Sequence, residues 1–581
     1  MNKFFLQLLF TGLVFQAGFT QNLTESIRLN QIGFYPDGPK TAILTAEAKG
    51  NFFIATPDLK QKVFTGTIGE PQTSSLSGKK TWPADFSLFK KTGTWVVWIP
   101  SLGHSWPFEI KPNVHREVAT AALKAFYFQR MSTDLPERYA GKWHRPISHP
   151  DNQVYVHASA ASGFRPEGTV IQSPGGWYDA GDYNKYIVNS GITVGTLLAL
   201  YEDFPDYFKK LELNIPESGN GVPDLLDEVL WNLRWMLTMQ EPDNGGVYHK
   251  CTTANFEGFV KPEDAHEKRY VVQKSTGAAL NFAAVMAQAA RVFEEFETDF
   301  PGLAATFLKA AESAWQWAQV HPNVIYDQQK LNEQFDPDIT TGAYGDKDLT
   351  GEFIWAAVEL YVTTGNEDYF RAVNLFPVEL ITVQNWGDVR TMAYLTLLRH
   401  EQKLAAATQQ PMRYLKNLFG GFALGQVFTT ESQAYLAPVE NDVQNFVWGS
   451  TAVCANQGMD LIYAYRLTGD KNYLGYAIDN LDYLLGRNAT GYSFVTGYGD
   501  RTPMPPPHRP SETDGVDDPV PGLLAGGPNP RQQDQCPGYP NNLPDESYLD
   551  DVCSYASNEI AINWNAPLVY LAFAVDILSS E

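Results

Sequence analysis

Tyr361-Val362-Thr363-Thr364-Gly365-Asn366-Glu367-Asp368-Tyr369-Phe370 recurs further along the chain as Tyr465-Arg466-Leu467-Thr468-Gly469-Asp470-Lys471-Asn472-Tyr473-Leu474. In both copies an apolar run meets a glycine, and an Asn or Asp follows it. Glycine takes the left-handed backbone that ends a helix, and the next side chain caps the helix that begins there, so each copy reads as a tight αα-hairpin. Hairpins of this kind, repeated between long loops, suit a closed helical toroid better than an open solenoid.

Working outward, a period near 3.6 marks helical runs at 116–130, 192–203, 223–240, 275–296, 303–319, 352–363, 388–400, 451–467, 472–485 and 560–578. Before Lys111-Pro112-Asn113 the pattern is different. Short apolar or alternating runs at 27–34, 40–47, 51–55, 62–68, 81–89, 93–99 and 104–110 are separated by turn clusters such as Tyr35-Pro36-Asp37-Gly38-Pro39, which reads as a small β-sandwich. The expected organisation is a signal peptide over 1–21, a sandwich over 22–113 and a mainly α domain over 114–581. Three long loops, 131–178, 322–349 and 486–555, interrupt the helices; ordering such segments costs entropy, so they are where function is expected.

The chain has 581 residues and a net charge of -23, which disfavours nucleic acid or an anionic membrane as partner and suits a neutral ligand. Only 19% of residues are charged while 13% are aromatic, with 14 Trp and 29 Tyr, more rings than a core ordinarily needs. Some of them are expected to line a binding surface. Met1-Asn2-Lys3 and the apolar run 4–15 read as a secretory signal too short to span a bilayer, and no Cys follows it to carry a lipid. A secreted or periplasmic monomer without a membrane anchor is expected. Cys251, Cys454, Cys536 and Cys553 are too scattered for a disulfide scaffold, and spacing alone leaves open whether Cys536 and Cys553 pair.

Two stretches carry chemistry. Gly175-Gly176-Trp177-Tyr178-Asp179-Ala180-Gly181-Asp182-Tyr183-Asn184-Lys185-Tyr186 sets two carboxylates among glycines and aromatics ahead of a helix; the same pattern also serves as a turn or cap. Tyr548-Leu549-Asp550-Asp551-Val552-Cys553-Ser554-Tyr555-Ala556-Ser557-Asn558-Glu559-Ile560-Ala561-Ile562-Asn563-Trp564-Asn565-Ala566 resembles the C-terminal signature of glycoside hydrolase family 9, and Asp179-Ala180-Gly181-Asp182 resembles its N-terminal acidic motif. Tyr483-Leu484-Leu485-Gly486-Arg487-Asn488 with Ser493-Phe494-Val495-Thr496-Gly497-Tyr498-Gly499 is similar to a third segment of that family. Ile27-Arg28-Leu29-Asn30-Gln31-Ile32-Gly33-Phe34 resembles the immunoglobulin-like leader domain of one subgroup.

The resemblance implies an (α/α)6 toroid that cleaves β-1,4-glucosidic bonds in cellulose or related β-glucans with inversion. Asp182 would be the general base, Asp179 would help hold the water, and Glu559 would be the general acid. Inversion needs one protonated carboxyl and one carboxylate about 6.5–9.5 Å apart with water between them. Acids so far apart in sequence meet only if the fold closes. The apolar residues after Glu559 would favour its protonated form.

His508 and Arg509 would donate to sugar hydroxyls, although Pro507 stands where the family has a first histidine. Trp177, Trp448 and Tyr555 are stacking candidates. Thr341-Gly342-Ala343-Tyr344-Gly345-Asp346-Lys347-Asp348-Leu349-Thr350-Gly351-Glu352 resembles a calcium loop, with Asp346, Glu352 and the distant Asp388 as structural Ca²⁺ ligands, although Gly351 replaces a frequent Asp. The zinc site of some relatives lacks its Cys beside His149, so zinc is not expected. Alternatives to an endoglucanase are an exo-acting β-glucosidase or exo-β-glucosaminidase of the same fold, or an inert carbohydrate-binding relative.

Overall fold

The computed structural model describes residues 22–428 and 430–580; the expected signal peptide lies outside them. In the N-terminal region β1 (Ile27–Arg28), β3 (Thr41–Leu44), β7 (Lys80–Asp85) and β6 (Gln72–Thr73) form one sheet in that order. The second sheet runs β2 (Gly33–Phe34), β10 (Phe108–Ile110), β8 (Gly93–Ile99), β4 (Asn51–Ala55) and β5 (Lys62–Thr67), with β9 (Gly103–His104) paired to β8. Neighbouring strands are antiparallel except β2 and β10. Inward residues of both sheets make one aromatic core, in which Phe34 meets Phe86 and Phe108 edge-on at 5.2 and 5.3 Å.

The run 27–34, read above as one strand, splits between the sheets. The Asn30 side-chain oxygen accepts from the amides of Ile32 and Gly33 and turns the chain. Gly33 has φ 141°, and a Cβ there would lie 2.1 Å from the Glu109 carbonyl, so no other residue fits this crossing.

From residue 116 the chain is helical: α1 (Arg116–Phe128), α2 (Ile187–Asp203), α3 (Asp224–Thr238), α4 (Thr276–Phe293), α5 (Leu303–Val320), α6 (Thr350–Thr364), α7 (Arg390–His400), α8 (Gln409–Val427), α9 (Ser450–Thr468), α10 (Lys471–Leu484) and α11 (Ile562–Leu578). Neighbouring inner helices pack in the sequence α11, α2, α4, α6, α7; α8 bridges α7 to α9, and α9 returns to α11. Outside them, α1 lies on α11, α3 on α2, α5 on α4 and α10 on α9. Burial follows this division. Almost every residue of α2 and α11 is buried, whereas α5 buries one face, Phe307, Ala310, Ala311, Ala314, Trp315, Trp317 and Ala318. Both repeated hairpins close as their sequence implies: Gly365 and Gly469 end helices at φ 71° and 72°, and the Asn366 and Asp470 side chains accept from the amides two residues on.

Sequence reasoning missed α8. Its buried residues Met412, Leu415, Phe419 and Ala423 keep helical spacing, but Pro411, Gly420, Gly421 and Gly425 dilute the signal. The connections between helices also hold regular structure, part of it in the first long loop. The strands β11 (Val154–Val156), β12 (Val170–Ile171), β13 (Lys185–Tyr186), β14 (Lys250–Thr253) and β15 (Arg269–Val271) form a sheet in the order β12, β11, β15, β14, β13. Its strands are two to four residues long, and the β11–β15 and β13–β14 pairs join residues more than 60 positions apart, so no local pattern reveals the sheet.

The sandwich is bonded to the helices along its length. Asn30 donates to Asp482 at 2.8 Å and meets the His115 ring at 2.9 Å, Tyr35 donates to Asp576, Ser74 and Ser77 donate to Asp545, and the Gln31 side-chain Oε1 accepts from the amides of Asp500 and Arg501. Cys536 and Cys553 form a disulfide that ties the last long loop; Cys251 and Cys454 are free and buried.

Candidate active site

Gly181 explains how the acidic loop is held. A Cβ at this position would sit 1.6 Å from the Pro507 carbonyl, so the loop carrying Asp179 and Asp182 packs directly on the proline segment. The Arg509 amide donates to the Gly181 carbonyl at 3.1 Å, and the Ile562 amide at the start of α11 donates to the Asp179 carbonyl at 2.8 Å. Glu559 is fixed from the other side, its carbonyl accepting from Gly526 at 2.8 Å. Three distant segments thus bring Asp179, Asp182 and Glu559 into one site, and each of the other two acids acts on the ionisation of Glu559.

The acids have different surroundings. Asp179 is buried and accepts from Asn189 at 2.6 Å and from the Tyr344 hydroxyl at 2.8 Å. Burial, then the charge of Asp182, pushes its carboxyl up to about 8 against those two hydrogen bonds. Asp182 accepts from Asn184 at 2.5 Å and Tyr186 at 3.1 Å. Glu559 is half-buried, and desolvation followed by the charge of Asp182 holds it well above the usual carboxyl range, opposed by Arg509. Glu559 is thus biased toward its protonated form beside Asp182, which has two fixed donors, the division of labour that acid–base hydrolysis requires.

Trp448 and Tyr555 are 42% and 39% exposed and face each other at 5.3 Å, forming an accessible aromatic surface whose Tyr555 feels the charge of Glu559. Trp177 and His508 are placed otherwise. Trp177 is 1% exposed, packs on Phe126 and donates from its indole to Glu228, so it is core rather than a stacking platform. His508 is wholly buried. The Gln129 amide nitrogen donates to the Ala180 carbonyl, so its oxygen faces His508 and accepts from Nε2, while Nδ1 meets the Ser511 hydroxyl. Burial lowers this imidazole to about 3, and as a neutral brace beneath the acidic loop it has no donor free for sugar. Arg509 is half-buried; it donates to the carbonyls of Glu257 and Gly181 and lies against the exposed rings of Phe256 and Phe259, 5.8 and 5.2 Å from their centres.

Sequence reasoning passed over Asn184, Tyr186, Asn189 and Tyr344. Asn184 and Tyr186 stand two and four residues beyond Asp182 in the stretch already quoted, and Tyr344 lies in the loop quoted for calcium. Their types alone do not show that they face a carboxylate.

In that calcium loop, both carboxylate oxygens of Glu352 and Oδ2 of Asp346 are buried without a hydrogen-bond partner. Burial and then Asp346 hold Glu352 well above its usual range, with a smaller contribution from Asp388. Asp388 is turned to Thr382 and the Arg390 amide. Two facing carboxylates with unused oxygens fit a hard cation; Asp388 stands apart, and the three do not converge within 4.8 Å. Around His149, Nδ1 and the Ser148 hydroxyl both meet the Tyr178 hydroxyl at 2.8 Å, Arg145 is bonded to Ser148, and Nε2 faces the Glu257 carboxylate at 3.5 Å.

No helix among the described residues is long and apolar enough to cross a membrane. Comparison with known proteins places the chain. Residues 115–572 match glycosyl hydrolase family 9, and residues 22–104 match the cellulase N-terminal ig-like domain. A xyloglucan-specific endo-β-1,4-glucanase of Bacteroides ovatus is 47% identical over 96% of this chain and 94% of its own length. Endoglucanase D of Acetivibrio thermocellus is 32% identical over 95% of this chain and 84% of its own length. A solved Bacteroides ovatus structure of the same family superposes with a TM-score of 0.91 at 46% identity, covering 96% of this chain and all of that one. With its acids gathered at one site and this likeness along nearly its whole length, the chain belongs to glycosyl hydrolase family 9 and carries that family's immunoglobulin-like N-terminal domain.

Proposed function

We propose that this protein is an inverting, endo-acting β-1,4-glucanase built on an (α/α)6 toroid, with an immunoglobulin-like sandwich over 22–113 and the catalytic domain over 114–581. The observation that carries the reading is the convergence of Asp179, Asp182 and Glu559, with burial raising Glu559 well above the usual carboxyl range while Asp182 is gripped by Asn184 and Tyr186. Asp182 activates the water, Asp179 helps to hold it, and Glu559 protonates the departing sugar oxygen. Trp448 and Tyr555 supply the stacking surface. The helix order, with inner helices α2, α4, α6, α7, α9 and α11 and their outer partners, supports the toroid.

The name of the Bacteroides ovatus relative makes xyloglucan the first substrate to test, beside cellulose and mixed-linkage glucan. Early products should be a spread of oligosaccharides rather than single sugars. Proton NMR of the first turnovers should show the α-anomer. A β-anomer would instead require a nucleophile and carboxyls about 5–5.5 Å apart, and would overturn the assignment of Asp182 as base.

A Ca²⁺ ion held by Asp346 and Glu352 would neutralise their repulsion and pin the loop that delivers Tyr344 to Asp179. Chelation should then lower the melting temperature by about 3–6 °C, the loss of roughly 3 kcal/mol of ligand stabilisation. Glu352→Gln should melt at one temperature with or without chelator; a persisting chelator effect in that variant would place the ion elsewhere.

A further inference from the structure

The β13–β14 pair sets Tyr186 opposite Lys250 and places Thr252 and Thr253 beside Asn184. Lys250 is fully buried, and its Nζ lies 2.8 Å from the Gln328 side-chain oxygen, 2.9 Å from Thr341 Oγ1 and 2.7 Å from the Gly342 carbonyl. With the Thr341 carbonyl at a longer 3.4 Å, acceptors surround all three hydrogens of an ammonium group.

From Thr341 the bonds continue in one direction. Thr341 Oγ1 meets Thr252 Oγ1 at 2.7 Å, the Thr252 hydroxyl donates to Asn184 Oδ1 at 3.0 Å, and Asn184 Nδ2 donates to Asp182 Oδ2 at 2.5 Å. The orientation of the Asn184 amide is not a free choice. The Thr253 backbone amide can only donate, and it meets Oδ1 at 3.0 Å, so the NH₂ group must face the carboxylate. Asn184, Thr252 and Thr341 are all buried, so water does not compete for these bonds.

We propose that Lys250, Thr341, Thr252 and Asn184 form a hydrogen-bonded relay that positions the Asp182 carboxylate for hydrolysis, with Lys250 and Thr252 as positioning residues that never touch the substrate. The inference rests on the assignment of Asp182 as base. Asp179, Glu559, Tyr186, Tyr344 and Lys250 all interact electrostatically with Asp182, and Lys250 is the cation among them. Burial pushes Lys250 well below the usual lysine range, and Asp182 pulls it back up. The relay has one fork: the Thr252 hydroxyl is also 2.9 Å from the Thr253 carbonyl, an acceptor that would take its hydrogen out of the chain.

The test is steady-state kinetics across pH on one cello-oligosaccharide, with Thr252→Val, Thr252→Ser, Lys250→Met and Asp182→Asn beside the parent enzyme. Thr252→Val keeps volume but loses the hydroxyl. It should lower kcat about tenfold with KM within about twofold, and Thr252→Ser should restore kcat. Lys250→Met removes the ammonium that anchors the relay and should lower kcat likewise with KM within about twofold. Parental kcat in Thr252→Val and Lys250→Met, with Asp182→Asn inactive, would overturn the relay and leave the base in place. Activity in Asp182→Asn would instead remove the base assignment itself. Should Lys250→Met fail to fold, the threonine pair decides alone: loss in Val with recovery in Ser supports the relay, and unchanged kcat in Val overturns it.

Discussion

Asp182→Asn should lose about a thousandfold in kcat on every substrate, whereas Glu559→Gln should lose as much on a cello-oligosaccharide but about tenfold or less on a nitrophenyl glycoside. The difference follows from what each group supplies. Every substrate needs the activated water, but only a poor leaving group needs a proton as its bond breaks, and a nitrophenolate departs without one. The pH dependence has the same origin. Burial and the neighbouring charge of Asp182 raise Glu559 well above the ordinary carboxyl range, so the acid keeps its proton to higher pH than an ordinary carboxyl and surrenders it as pH rises through that raised value. Activity on oligosaccharides should therefore fall on the alkaline side, and Glu559→Gln should lose that limb. Equal losses on both substrates in Glu559→Gln would show that it is not the acid.

Removal of residues 22–113 should lower the melting temperature of the remaining domain by about 5–10 °C and reduce its activity. The sandwich supplies the Asn30, Tyr35, Ser74 and Gln31 bonds to Asp482, Asp576, Asp545 and the Asp500–Arg501 backbone, each contributing about 1 kcal/mol net and more where the partner is charged. Asp500 and Arg501 begin the segment that leads to Pro507, whose carbonyl packs on Gly181 between the two acids. Loosening that segment should thus reach the chemistry. Asn30→Ala is the finer probe: it strips a donor from buried Asp482 and a partner from His115, and should cost about 2–3 kcal/mol without removing a domain. Unchanged melting and activity in the truncated protein would mean that the sandwich is a passenger.

The α-helical body, the sandwich before it and the two repeated hairpins were legible because each depends on short-range physics. Gly365 and Gly469 take a backbone open to glycine, Asn366 and Asp470 cap the helices beside them, and apolar periods report which face is buried. The acidic pair and Glu559 were also legible, from local patterns that resemble those of one family. What the sequence could not show is who faces whom. His508 and Trp177 are chemically suited to sugar, yet the fold turns both inward, His508 to Gln129 and Ser511, Trp177 to Glu228. Asn184, Tyr186 and Tyr344 carry no mark of their own, and only the closure of α2, the β13–β14 pair and the 341–346 loop around one point sets them on the carboxylates. The Cys536–Cys553 bridge was open on spacing and closed by the fold. Local conformation follows from each residue and its near neighbours, so the chain's elements were written in its sequence. The site is a set of contacts between residues hundreds of positions apart, and those are decided only when packing of the whole chain selects which of many compatible side chains point at the same few ångströms of space.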